Sequence, residues 1–253
     1  MKAVFRGVGV AIVTLFDEAG EVDAAATAEH AARLVELGVT AVIVAGTTGE
    51  PMSLERFERT DLIRAVRSAI GGTPLIAGTG TVSTRGAAIL TRDAVDEGVD
   101  AILALSPPGP VDVDRYYSEV VSAAGDTPVL AYHFPAISAP GFEPEALAGF
   151  GVRGVKDSSG DIKRLLRLVE VFDGAVYPGS PFLAHAAGVY GATGAILAIA
   201  NAAPELAIKA FSGDAAAQRE LASMQFGMTG NRWQAIKNAT AERFGTSTVC
   251  RMA

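Results

Sequence analysis

A short apolar run, a turn rich in Gly, Pro, Ser or Thr, and a segment of helical period follow one another eight times along this chain. The runs are Gly7–Val13, Ala41–Ala45, Leu75–Gly78, Ala101–Leu105, Val129–Phe134, Val152–Val155, Ala175–Tyr177 and Ala195–Ile199. Their unbroken Ala/Val/Ile/Leu character suits strands covered on both faces, as in a parallel sheet flanked by helices. The segments between them predict helices at Asp23–Leu37, Ser53–Ala69, Ser83–Glu97, Val113–Ala124, Glu143–Ala148, Ile162–Phe172, Phe182–Tyr190 and Pro204–Phe211. Each runs toward a glycine able to end a helix, and Ser53 is the expected cap of the second. Eight such units predict an α/β fold, a (β/α)8 TIM barrel over residues 7–211. An open doubly wound sheet competes, because a strand count does not prove closure. Ala215–Phe226 and Arg232–Phe244 add a C-terminal helical extension over 212–253, and with no linker in between a single domain over 1–253 is expected.

Charge and motif content exclude several classes of function. Lys and Arg number 21 against 28 Asp and Glu, a net charge of −7 with no basic cluster. Nucleic acid and anionic membrane are therefore not expected partners. The apolar stretch Gly191–Phe211 is broken by Asn201, Pro204, Glu205 and Lys209 and reads as strand, loop and helix rather than a membrane span. One cysteine, Cys250, and no visible secretory signal fit a cytoplasmic protein. Gly78-Thr79-Gly80 is only a fragment of a dinucleotide-binding fingerprint. His30, His133 and His185 have no ligand-spaced partners, so no metal site is expected.

The residue pointing to chemistry is Lys156, in Gly154-Val155-Lys156-Asp157-Ser158-Ser159-Gly160-Asp161, at the end of the sixth run. Burying an ammonium costs several kcal/mol, so such a lysine pairs with a carboxylate, snorkels or loses its proton. Asp157 is the plain structural explanation, but adjacent strand residues face opposite ways. In a barrel, residues at the C-terminal ends of strands share one functional face. Tyr132 ends the fifth run, and Gly46-Thr47-Thr48-Gly49-Glu50 follows the second. Leu130, Tyr132 and Phe134 share one face of their strand, so Tyr132 can reach a lysine on the next strand, or simply fill the core. His133 faces away and reads as structural. The Thr47 and Thr48 hydroxyls with nearby backbone N–H groups can hold a carboxylate, or form an ordinary turn.

Taken together and in register, Gly46-Thr47-Thr48-Gly49-Glu50, Tyr132-x-x-Pro135 and the segment around Lys156 resemble the dihydrodipicolinate synthase/N-acetylneuraminate lyase superfamily. Val13-Thr14-Leu15-Phe16-Asp17, with Leu15 where proline is usual, and Gly194-Ala195-Ile196 to Asn201 and Pro204 extend the resemblance. It covers about residues 7–211 and continues weakly to Gly245. The resemblance implies a Schiff-base pyruvate aldolase needing neither metal nor organic cofactor, assembled as a homo-oligomer, dimer or tetramer. It implies that Lys156 is the nucleophile, Tyr132 the proton shuttle and Thr47 its orienting partner. Thr48 and Gly46 would hold the keto-acid carboxylate, and Ile196 would line the pyruvate pocket.

Three departures bear on the substrate. Ser106-Pro107-Pro108-Gly109-Pro110 lacks the tyrosine that synthases of the superfamily place across a dimer interface. Ile137 stands where they carry an arginine, and Gly179-Ser180-Pro181 where Gly-Asp-Asp or similar is common. Tyr116 and Tyr117 are expected to pack. The chain is also shorter than typical members by most of one C-terminal helix, which bears on the tetramer contacts. The pattern is closest to 2-keto-3-deoxy sugar acid aldolases, whose products are pyruvate and an aldehyde. Dehydration or synthase-type condensation on the same lysine, and a pyruvate-binding pseudoenzyme, are the alternatives. Few Arg or Lys residues lie in the loops at the mouth, which disfavours a phosphorylated substrate.

Overall fold

In the computed structural model, which describes residues 3–253, eight parallel strands close around one axis. They are β1 (Gly7–Ala11), β2 (Ala41–Val44), β3 (Leu75–Gly78), β4 (Ala101–Leu105), β5 (Val129–His133), β6 (Gly154–Asp157), β7 (Ala175–Pro178) and β8 (Gly194–Leu197). From β1 to β7 each hydrogen-bonds its neighbours in sequence, and β1 also pairs with β8. Thr193, just before β8, completes the ring: its N–H donates to the Val176 carbonyl at 3.0 Å, and its Oγ1 accepts from the Val176 N–H at 3.1 Å. Sequential neighbours with the first strand beside the last make a (β/α)8 barrel, not a doubly wound sheet, whose order reverses at an interior strand.

Nine α-helices follow among the described residues: α1 (Ala24–Glu36), α2 (Arg56–Ile70), α3 (Thr84–Asp96), α4 (Val113–Ala124), α5 (Ile162–Val171), α6 (Ala184–Val189), α7 (Pro204–Phe211), α8 (Ala215–Gly227) and α9 (Arg232–Phe244). Strand alternation splits the apolar residues into two layers. Leu130 and Tyr132 of β5 join the barrel interior with Phe5, Ile43, Leu103 and Tyr177, whereas Ala131 joins the layer between strands and helices. The Phe5 ring stacks on Tyr177 at 4.5 Å and fills the barrel interior beneath the strands' C-terminal ends. Tyr116 and Tyr117 pack outside, fully buried, with their hydroxyls donating to the carbonyls of Leu105 (2.9 Å) and Ala104 (3.1 Å). Among the described residues no helix is long and apolar enough to cross a membrane.

Local chemistry moves some boundaries. Ser53 does not cap α2: its Oγ donates to the Glu50 carbonyl at 2.9 Å within a 3-10 turn, Pro51–Ser53. The helix begins at Arg56 behind Glu55, whose N–H donates to the Glu58 carboxylate at 2.7 Å in a reciprocal capping box. The predicted helix over Glu143–Ala148 is a 3-10 helix, Pro144–Gly149. Pro181 likewise opens a 3-10 turn, Pro181–Leu183, so α6 starts only at Ala184. In β6 the ladder starts at Gly154, which pairs with Leu130 and Ala175, leaving Val152 outside it. The strand then continues through Asp157, so Lys156 sits inside the ladder rather than behind it.

Candidate active site

The β5–β6 register sets Tyr132 directly beside Lys156. Both side chains line a cavity of about 370 Å³ at the C-terminal mouth of the barrel, together with Thr47, Thr48 and Ser158. Lys156 is buried, and its Nζ lies 4.3 Å from the centroid of the Tyr132 ring. Asp157 points the other way, as alternation requires, and pairs with Arg164 of α5 at 2.6 Å. That ion pair removes the plain explanation of the lysine. Among the described residues no carboxylate forms an ion pair with Lys156, and no Asp or Glu lines the cavity.

Tyr132 holds its hydroxyl between two others. Thr47 Oγ1 donates to it at 3.5 Å and Ser158 Oγ at 3.4 Å. Ser158 is fixed by its own N–H, which donates to the His133 carbonyl at 2.9 Å. Ser158 escapes the sequence argument, although it lies two residues beyond Lys156 and so on the same face of the chain. A row of hydroxyls beside an amine can carry protons to and from a bound substrate. His133 faces outward, accepts the Phe142 N–H at its Nδ1 (3.3 Å) and packs edge-on against the Phe142 ring. Burial, with the nearby Arg164 cation, holds its pKa below the ordinary histidine value.

The Gly46–Glu50 segment forms one 3-10 turn, Thr47–Gly49, bracketed by Ala45 (φ 50) and Glu50 (φ 55). These are the two non-glycine residues with left-handed backbone among those described. Such a conformation costs roughly 1 kcal/mol or more per residue and needs surrounding contacts to hold it. Those contacts come from the C-terminal extension. Glu50 is fully buried against Lys237 of α9 at 2.5 Å, and accepts the Met252 N–H at 2.8 Å. Trp233 Nε1–H donates to the Thr47 carbonyl at 2.7 Å. Burial is the largest influence on Lys237 and lowers its pKa, with the Glu50 carboxylate opposing. Nothing in the sequence couples Glu50 to Lys237, because their contact is purely tertiary.

Of the remaining sequence candidates, Thr48 lines the cavity and Gly46 caps the turn from just outside it. The N–H groups of Thr47 and Thr48 open the turn and, like those at any helix start, lack partners within it. Ile196 is fully buried in the barrel interior, apart from the cavity lining, and Ala198 lines it from that side. Ile137 is on the surface and outside the lining. The approach of β7 is unusually close: a Cβ on Gly179 would lie 2.0 Å from Ser158 Oγ and 3.0 Å from Lys156 Cε. Arg232, at the start of α9, also lines the mouth, with its guanidinium 5.3 Å from the centroid of the Phe134 ring. Among the described residues no group of three or more His, Cys, Asp or Glu is placed to hold a metal ion.

Comparison with known proteins matches this geometry to one group. The model of the Dihydrodipicolinate synthetase family matches residues 4–226. A 4-hydroxy-tetrahydrodipicolinate synthase of Corynebacterium diphtheriae is 34% identical over 211 residues, covering 80% of this chain and 70% of that protein. An uncharacterized DapA-like lyase of Halobacterium salinarum is 35% identical over 214 residues, with the same 80% and 70% coverage. Among solved structures, the dihydrodipicolinate synthase of Acinetobacter baumannii complexed with pyruvate superposes with a TM-score of 0.85 at 28% identity, over 94% of this chain and 88% of that one.

Proposed function

The chain belongs to the dihydrodipicolinate synthetase family, and from that premise we propose that it reversibly cleaves a 2-keto-3-deoxy sugar acid to pyruvate and an aldehyde. At the coarser level it is a pyruvate-dependent carbon–carbon lyase or synthase of the Schiff-base type. The observation that carries the proposal is a buried lysine with no carboxylate partner, set in a cavity against three hydroxyls.

Lys156 Nζ attacks the C2 carbonyl of the keto acid, and the carbinolamine loses water to give an imine. Thr48, with the N–H groups at the start of its turn, holds the C1 carboxylate. Tyr132 gives its phenolic proton to the departing water, leaving the imine protonated, and as phenolate it then takes the proton of the C4 hydroxyl as the C3–C4 bond breaks. The bonding pair moves into the protonated imine, giving an enamine on Lys156 and a free aldehyde. The enamine is then protonated at C3, and water hydrolyses the imine to pyruvate and the free lysine. Water lost in the first step is regained in the last. Thr47 and Ser158 keep the phenol aimed along this path.

Cleavage rather than synthase-type condensation is favoured by Ile137, which leaves the β5 side of the mouth without an arginine. Condensation on the same lysine is the second reading, favoured by the name of the corynebacterial relative. A homo-oligomer is part of the proposal, supported by large apolar side chains exposed at Met52, Phe57 and Val82. Light scattering on the purified protein tests it. Borohydride reduction with pyruvate, followed by peptide mass analysis, tests the chemistry: a reduced adduct on Lys156 is expected, and its absence from folded protein refutes the Schiff base. Candidate keto-deoxy acids then separate the outcomes. Release of pyruvate marks a lyase, a dehydrated keto acid marks a dehydratase, and an adduct without turnover of any acid marks a pyruvate-binding pseudoenzyme.

A further inference from the structure

Two basic side chains line the cavity, Lys156 at its floor and Arg232 at its rim, and no carboxylate lines it beside either. The Schiff-base chemistry proposed above accounts for the first and leaves the second without a task. Arg232 has no ion pair among the described residues. Its guanidinium lies over the Phe134 ring at 5.3 Å and beside the Trp233 ring at 5.9 Å. Aromatic faces hold a guanidinium by its plane and leave its N–H edge free for an anion. Phe134 in turn stacks on Tyr132, 6.0 Å between ring centroids, and Lys156 Nζ lies 4.3 Å from the Tyr132 ring. A ledge of two aromatic rings thus joins nucleophile to guanidinium, the footing for a carbon chain with an acid at both ends.

We propose that Arg232 is a specificity-determining residue that takes a carboxylate at the far end of the aldehyde half, so that the preferred keto-deoxy acid is a diacid. The proposal rests on the Schiff-base assignment of Lys156. A carboxylate fits better than a phosphate. Phosphate sites commonly add backbone N–H groups at a helix start, and those of Trp233 and Gln234 are already given to the Asn231 side chain at 3.0 and 3.2 Å. A lone planar guanidinium holds a carboxylate edge in bidentate fashion without such backbone donors. Ile137, at the place where the synthases carry their arginine, is outside the lining, so the cation enters this mouth from a different element, α9.

The test runs the reaction in the condensing direction with pyruvate and three probes: succinic semialdehyde, butanal of equal carbon count, and glyceraldehyde 3-phosphate. The wild-type protein should favour succinic semialdehyde over butanal at least tenfold in kcat/KM, mainly through KM. Arg232→Met keeps the aliphatic stem over Phe134 but removes the charge, and should bring that ratio near one. Arg232→Lys should retain part of it. A ratio near one in the wild type, a ratio surviving in Arg232→Met, or a preference for the phosphorylated aldehyde overturns the assignment to Arg232. Failure of wild-type protein to form a borohydride-trapped pyruvate adduct removes the Schiff base, and this proposal with it.

Discussion

Gly179→Ala isolates how tightly the nucleophile is positioned. The backbone at Gly179 is not left-handed, so alanine changes only the volume there. Its Cβ would lie 2.0 Å from Ser158 Oγ and 3.0 Å from Lys156 Cε. Unstrained carbon contacts sit at about 3.5–4.0 Å, so Lys156 must retreat by about 0.5–1 Å. Ser158 Oγ must rotate away, giving up its 3.4 Å contact to the Tyr132 hydroxyl. Overpacking of this kind costs about 1–3 kcal/mol of stability. A displacement of about 1 Å at a reacting group costs about a hundredfold in rate, or about 2.7 kcal/mol of barrier. The variant should therefore fold with a modestly lowered Tm while adduct formation on Lys156, followed by timed borohydride quenching, slows about a hundredfold. Adding Ser158→Ala removes the nearest atom and should restore part of the rate. A folded Gly179→Ala protein forming adduct within about twofold of the wild-type rate would refute the close-positioning argument.

Three further outcomes follow from contacts outside the reacting groups. Lys237→Met leaves the fully buried Glu50 carboxylate without its cation, and should cost about 3–5 kcal/mol by denaturant unfolding, with a smaller loss when Glu50→Gln is added. Trp233→Phe keeps the ring but removes the 2.7 Å hydrogen bond to the Thr47 carbonyl; about 1 kcal/mol of lost positioning should lower kcat several-fold while Lys156 still traps pyruvate. His30 is held near pKa 4, against an ordinary 6.5, chiefly by burial and then by the Arg33 charge. Between those values the unfolded chain binds the extra proton, so this stability is complete above pH 6.5 and is lost as pH falls toward 4, by about 3 kcal/mol. Denaturant midpoints at pH 7 and 5 should fall less in His30→Leu than in the wild-type protein, and equal falls would refute the assignment.

The barrel was legible because a strand buried on both faces must be apolar at every position, and eight such runs left few other topologies. Tyr132, Lys156 and Asp157 were placed by alternation alone, and β5–β6 pairing converts that alternation into contact. Helix starts read less well. Glu55 and Glu58 cap α2 reciprocally, a role that Ser53 imitates from two residues earlier. The bounds of α9, Arg232–Phe244, match those read from the sequence, but its contacts do not show there. Trp233, Lys237 and Arg232 look like ordinary members of a weakly patterned helix, and their roles come from partners distant along the chain, Thr47, Glu50 and Phe134. Periodicity records which face of an element is buried but not which distant backbone it meets. The left-handed Glu50 was hidden for the same reason, since its conformation depends on a cation and a backbone N–H supplied by the C-terminal segment.

The absence of carboxylates from the cavity lining has a kinetic side. The molecule as a whole carries −7, so an anionic keto acid approaching from a distance meets repulsion and feels Lys156 and Arg232 only at the mouth. Such a field slows the first encounter, the reverse of electrostatic steering. Salt shortens its reach, to a Debye length of about 8 Å at 0.15 M, while the two basic side chains at the cavity act within contact distance and are screened less. The capture rate for keto acid is therefore set by ionic strength in a rising sense over the dilute range, even though the bound state is held by charges that salt weakens.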